Sequence, residues 1–241
     1  MDFNRWKNLS EIIPADVEFF VNTYNFRSEV LKDIEEFASK EKVPILLPSS
    51  AVFLKFLVKL IKPKSILEIG TGIGYSTITM AEACPEAEIL TVDSNAKRLE
   101  VAERFFQRAG LKNVAVVHSD AFGVVGDFLA EGKKFDFIFI DSVKSEYPFF
   151  NFKVQALLEE RGIAVFDNVL FRGYVCGKSY DEKRYSRTVN LLKLFLEQVK
   201  EYPNFEVTLL PVGDGFLILK KKAPKGGWKS YVDRNNVSLN S

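Results

Sequence analysis

Four residues in the second half of the chain have the types and spacing to do chemistry: Asp141, with Lys144 three positions on, and the adjacent pair Asp167 and Asn168. The segment FDFIFID is apolar except for Asp136 and Asp141, and GIAVFDN is apolar until its last two residues, so each polar site sits where a buried strand runs out. In open α/β sheets the carboxyl ends of parallel strands are where ligands bind. Two carboxylates and an amide oxygen, with no His or Cys among them, make a hard oxygen set suited to Mg²⁺, with Mn²⁺ as the substitute. Taken singly, Asp141 reads as a strand-end hydrogen-bonding residue and Asp167–Asn168 as the start of a loop. Gathered on one sheet edge beside a cofactor site, the three read as metal ligands.

That cofactor site is signalled by ILEIGTGIGYS, a strand, a glycine turn and the start of the helix YSTITMAEA. The glycines fall at Gly70, Gly72 and Gly74, whereas a dinucleotide fingerprint needs its third at the position held by Tyr75. The spacing argues against a nicotinamide cofactor. Gly70 and Gly72 let the backbone approach a ligand without obstruction by Cβ, and Glu68 offers a carboxylate for a cationic amino-acid ammonium. An ordinary turn between strand and helix is the plain alternative. The second strand, EILTVD, ends at Asp93, 23 residues beyond Gly70, where a carboxylate accepts a ribose diol; the same residue could instead cap the helix that begins just after it and stops at Gly110. The third strand, VAVVHS, delivers Ser119, Asp120 and Ala121 to a position suited to an adenine edge.

The elements that must position these residues alternate from Ser65 onward, with strands near 65–70, 88–93, 114–119, 135–141 and 162–167, a pattern that predicts a doubly wound parallel sheet. A long helix near Glu182 to Tyr202 then leads to FEVTLLPV and GFLILKKK, joined by Gly213 and Asp214, a link short enough to predict a hairpin and an antiparallel last strand. Ahead of the sheet, residues 16–41 have the periodicity of one or two amphipathic helices, and SSAVFLKFLVKLIK predicts another, capped by Ser49 or Ser50. One domain is expected: an N-terminal helical extension over 1–48, a catalytic core over 49–222 and a flexible C-terminal tail over 223–241, in which Trp228 and Tyr231 could anchor on a partner.

Composition excludes some functions. Lys and Arg number 33 against 32 Asp and Glu, so no bulk charge recruits nucleic acid or membrane, though a local basic patch stays open. No apolar stretch approaches a membrane span, and MDFNRWKNLS lacks the core of a signal peptide. With Cys84 and Cys176 isolated and without metal spacing, the expectation is a soluble cytoplasmic protein with no membrane partner.

The strings LEIGTGIGYS, TVD, FIDSVKSEY and DNVLFRG together resemble the cation-dependent S-adenosylmethionine O-methyltransferases of the catechol and caffeoyl-coenzyme A type, over roughly Pro44 to Lys222. The resemblance implies a Rossmann-like class I methyltransferase, an α/β fold whose seven-stranded, mostly parallel sheet carries helices on both faces and an antiparallel last strand. It places the metal ligands on Asp141, Asp167 and Asn168 and the catalytic lysine on Lys144, with Asp141 beside it. It places cofactor contacts on Glu68, Gly70, Ser76, Asp93 and the Asp120–Ala121 turn; Gly72, Tyr75 and Ser119 are assigned to the same set. The implied chemistry is transfer of an activated methyl group to a hydroxyl made nucleophilic by Mg²⁺ or Mn²⁺ that chelates two neighbouring substrate oxygens. Lys144, its pKa depressed by that cation, would take the proton or stabilise the oxyanion; a solvated cation at a helix start is the alternative.

Within the family, DNVLFRGYV and YPNFEVTLLPVGDG look closest to the bacterial branch that includes the tRNA 5-hydroxyuridine methyltransferase. Arg172, Lys178, Lys183, Arg184 and Arg187, interleaved with Tyr174, Tyr180 and Tyr185, could grip an anticodon-loop backbone and stack a base, or simply be a solvated loop. The acceptor is thus expected to be a small catechol-like molecule or tRNA. A catalytically silent RNA-binding or scaffold protein and a nucleotide-cofactor oxidoreductase are the alternatives. The family pairs as homodimers, and Phe19, Phe20, Tyr24 and Phe26 could bury against a twin or cap the active site.

Overall fold

The structure is a computed structural model that describes residues 12–222; the tail assigned to 223–241, with Trp228 and Tyr231, lies outside the described residues. Period-two alternation in the strands divides the core. Ile66, Phe137, Phe139 and Val165 point to one face of the sheet, and Leu67, Ile69, Ile138, Ile140 and Phe166 to the other. All are buried, as the two-sided burial of a parallel sheet requires.

Among the described residues, eight α-helices and seven strands follow in order: α1 (Ala15–Thr23), α2 (Glu29–Lys40), α3 (Pro48–Ile61), β1 (Ser65–Ile69), α4 (Tyr75–Ala83), β2 (Glu88–Asp93), α5 (Ala96–Arg108), β3 (Val114–His118), α6 (Ala121–Ala130), β4 (Phe135–Ile140), α7 (Tyr147–Leu157), β5 (Leu158–Phe166), α8 (Glu182–Lys200), β6 (Phe205–Leu210) and β7 (Phe216–Lys221). The sheet order is β3-β2-β1-β4-β5-β7-β6. β1 pairs in parallel with both β2 and β4, so the chain reverses its winding between β1 and β4 and opens a crevice there. β7 runs antiparallel to β5 and to β6. Helices α2 to α5 cover one face, and α6 to α8 the other.

Two expectations need correction. β6 and β7 are joined by five residues, 211–215, and not by Gly213 and Asp214 alone, because Pro211 and Val212 leave the ladder. Neither Ser49 nor Ser50 caps α3; Leu47 holds that position with Pro48 just inside, and the carboxylate of Glu18 on α1 accepts the Ser49 amide at 2.9 Å. Packing is continuous across residue 48: Leu31, Ile34 and Ala38 of α2 are buried with Leu54 and Val58 of α3 and Ile66 of β1. Helix α1 is inverted relative to a simple amphipath. It buries Glu18 and Asn22 and exposes Phe19 and Phe20, and beyond it Tyr24 and Phe26 are also exposed.

The crevice depends on close backbone approach at one glycine. Gly70, at φ +105°, ends β1 against the carbonyl of Asp141, which any Cβ would strike. Gly70→Ala is expected to cost about 2–4 kcal/mol in urea denaturation and to weaken S-adenosylhomocysteine binding at least tenfold; a substitution that leaves both unchanged would refute this close packing as a constraint on the site.

Candidate active site

Strand-end hydrogen bonds place the acidic residues. The Asp141 amide donates to the Ile69 carbonyl at 2.9 Å, and the Asp167 amide to the Ile140 carbonyl at 3.0 Å. These steps carry Asp141 and Asp167 onto the same edge as the glycine turn. A cavity of about 570 Å³ lies across that edge and is lined by Asp141, Lys144, Asp167 and Asn168 on one side and by Gly70, Gly72, Ser76 and Asp93 on the other. Ser119, Asp120 and Ala121 also line it.

On the glycine side, Asp93 accepts the Gly72 amide and the Asn95 amide, each at 2.8 Å, so it pins the turn while facing the cavity. It is not the helix cap; Asn95 caps α5 and accepts the Arg98 amide. Asp120 caps α6 through the Gly123 amide. The first turn of α4 has no side-chain cap, which leaves its amides available to an anionic group such as an amino-acid carboxylate. Tyr75 is among the lining residues, but its hydroxyl turns to Glu35 at 2.7 Å. His118 meets the Ser94 carbonyl instead of lining the cavity.

Glu68 lies behind this wall, not on it. Ser76 and Thr91 hydroxyls donate to its carboxylate at 2.5 and 2.6 Å, and Thr77 donates as well. Its expected role of holding a ligand ammonium has no direct contact with the cavity in this geometry; it holds the underside of α4. Burial pushes its pKa up to about 7 against the pull of those three hydroxyls.

On the other side of the cavity, Lys144 forms an ion pair with Asp141 and lies 5.5 Å from the Tyr147 ring centroid. The buried Tyr147 hydroxyl donates to the Asp167 carbonyl at 2.9 Å, which ties α7 to the end of β5. Burial disfavours the Lys144 ammonium, but the charges of Asp141, Tyr147 and Asp167 together outweigh it and hold its pKa above the ordinary lysine range. Asp167 is pushed well above the usual carboxylate range, first by burial and then by the charge of Asp141.

Sequence reasoning missed Asp214. It lines the cavity with Asp167 and Arg172, buried from the β6–β7 turn, and burial raises its pKa to about 7. Its signal was the GDG that was read only as a tight turn. Residues 44–47, also absent from the expected set, form another part of the wall. Of the four expected substrate or RNA contacts, the structure brings Arg172 to the cavity but not Lys183, Arg184 or Arg187, which are exposed at the start of α8. Tyr174, Tyr180 and Tyr185 pack on one another and on Phe171, with centroids 5.3–5.7 Å apart.

Among the described residues no group of three or more His, Cys, Asp or Glu forms a metal cluster; the donor set here is two carboxylates and one amide. It nevertheless fits a hard divalent cation, because the like charges of Asp141 and Asp167 are forced together under burial and an added cation relieves that repulsion.

The pKa of Glu68 lies above its unfolded value of 4.5, so its contribution to stability is complete below about pH 4.5 and is lost as pH rises through about 7. Between pH 5 and 8 the wild type should therefore lose up to roughly 3 kcal/mol that Glu68→Gln does not. Urea midpoints of both proteins across that range check this; parallel profiles would refute it.

The O-methyltransferase family model matches residues 21–222. The chain is 30% identical to caffeoyl-CoA O-methyltransferase 2 of Populus trichocarpa over 83% of this chain and 85% of the relative. Among solved structures it resembles an O-methyltransferase from Bacillus cereus in complex with SAH, at 25% identity and TM-score 0.76, covering 90% of this chain and 99% of that one. It also resembles an SAH-bound methyltransferase from Podospora anserina, at 27% identity and TM-score 0.74, covering 89% and 100%. With the glycine turn, Asp93 and the paired strand ends facing one cavity, the chain belongs to the O-methyltransferase family and is an S-adenosylmethionine-dependent O-methyltransferase.

Proposed function

We propose that the enzyme methylates one of two adjacent oxygens on a small, planar, catechol-like acceptor, with Mg²⁺ or Mn²⁺ held by Asp141, Asp167 and Asn168. The observation that carries this reading is the single cavity that joins Asp141, Lys144, Asp167 and Asn168 to the cofactor turn. Relatives that are caffeoyl-CoA O-methyltransferases support the acceptor class. A bound divalent cation would supply a Lewis acid that lowers the pKa of the acceptor hydroxyl. The protein's own part is alignment and charge. The glycine turn and Asp93 seat the adenosyl end of the cofactor, which leaves the sulfonium methyl to be met in line by the acceptor oxygen. The acceptor hydroxyl gives up its proton to solvent, a C–O bond forms as the C–S bond breaks, and S-adenosylhomocysteine leaves. Lys144, ion-paired with Asp141 on the wall of the cavity, stabilises negative charge on that oxygen.

A small acceptor is favoured over tRNA because the exposed cations of α8 lie off the cavity and the tyrosines meant to stack a base are occupied with one another. The test is transfer of labelled methyl from S-adenosylmethionine to a catechol and, in parallel, to tRNA containing 5-hydroxyuridine, with Mg²⁺ or with chelator. Label is expected in the catechol only with metal. Label confined to tRNA would overturn the acceptor class, and transfer unaffected by chelator would overturn the metal role. Asp167→Ala should lower kcat by about 100-fold or more while S-adenosylhomocysteine still raises its Tm.

A further inference from the structure

The loop after β5 that carries Asn168 has an unusual backbone. Asn168, Phe171 and Arg172 all take positive φ, at +57°, +46° and +60°, followed by Gly173 at +80°. Side-chain-bearing residues disfavour this region and remain there only where their surroundings over-determine them. The over-determination comes from the β6–β7 turn, 42 to 46 residues away in the chain. Asp214 Oδ1 accepts the Arg172 amide at 2.6 Å, the Asp214 carbonyl accepts the Leu170 amide at 3.0 Å, and the Gly215 carbonyl accepts the Val169 amide at 3.1 Å. Gly215 lies so close that a Cβ would strike the Leu170 side chain. On the opposite side, Gly213 abuts Ser50 at the start of α3, so the turn is wedged between that helix and the loop. Asp214 is itself 4% exposed.

We propose that Asp214 is a positioning residue for the acceptor half of the site: by clasping the Arg172 amide it fixes the left-handed loop and so the directions in which Asn168 and Arg172 meet the cavity. The clasp acts on the loop, not on the cofactor, because the glycine turn and Asp93 are built from other strands. Its kinetic consequence rests on the O-methyl transfer reading; its structural consequence does not.

The test compares Asp214→Ala, Asp214→Asn and Gly215→Ala in the full chain, reading amide hydrogen exchange at Leu170 and Arg172 together with methyl transfer. Asp214→Ala should speed Arg172 exchange by about tenfold or more and lower kcat about 10- to 100-fold, with KM for S-adenosylmethionine within about twofold of wild type. Asp214→Asn keeps the Oδ1 acceptor and should restore both readouts to within about threefold of wild type. Gly215→Ala should reproduce the kcat loss with every charge retained, and a Tm rise with S-adenosylhomocysteine reports that each variant is folded. Unchanged Arg172 exchange in Asp214→Ala would overturn the proposal. So would an Asp214→Asn protein as impaired as Asp214→Ala, since the carboxylate charge and not the clasp would then be what matters. If the wild type transfers no methyl, the functional reading fails while amide exchange still decides the role of Asp214.

Discussion

The parallel register of β1, β4 and β5 is the constraint on which the rest of the site depends. Each strand ends one hydrogen bond beyond its neighbour: the Asp141 amide reaches the Ile69 carbonyl, and the Asp167 amide reaches the Ile140 carbonyl. Because side chains alternate faces along a strand, a slip of one residue would turn a whole strand inside out. The buried Phe137, Ile138, Phe139 and Ile140 forbid such a slip, since residues on both faces fill a core. The position of each strand-end carboxylate is therefore set by apolar packing several residues away from it.

That placement works against the local electrostatics. Asp167 and Asp214 sit in surroundings that penalise their charge, and Asp141 adds repulsion at Asp167. Lys144 and the backbone amides of Asn168 and Arg172 offset only part of this. A core designed for stability alone would not gather carboxylates in this way, and concentrated negative charge is what a cationic cofactor and a hard metal ion each need. Glu68 shows the same tension one layer down, where three hydroxyls partly compensate a carboxylate that never reaches the cavity.

Local features of the sequence were legible where one element decides them alone. Apolar runs marked β1 to β5 and polar residues marked their ends, so Asp141, Asp167 and Asn168 could be placed on one edge before any coordinates were known. The hairpin is legible as a hairpin, but Gly213 and Asp214 read as the whole link because strand propensity in VTLLPV runs past the point where the ladder stops. Ser49 and Ser50 looked like caps because the competing acceptor, Glu18, lies 31 residues away. Arg184 and Lys183 looked like substrate contacts because proximity in sequence to Arg172 does not say which way a helix turns its face.

The sequence by itself determined the strand order of chemistry: which residues stand at carboxyl ends, and that a glycine turn precedes them. Those properties follow from periodicity and from the few residues that tolerate a tight turn. The tertiary structure alone decided which of these side chains share a cavity, that Glu68 supports the wall without lining it, and that Asp214 belongs to the site. Each of these is a contact between segments distant in the chain, where burial and charge are properties of the assembled fold and no single segment encodes them.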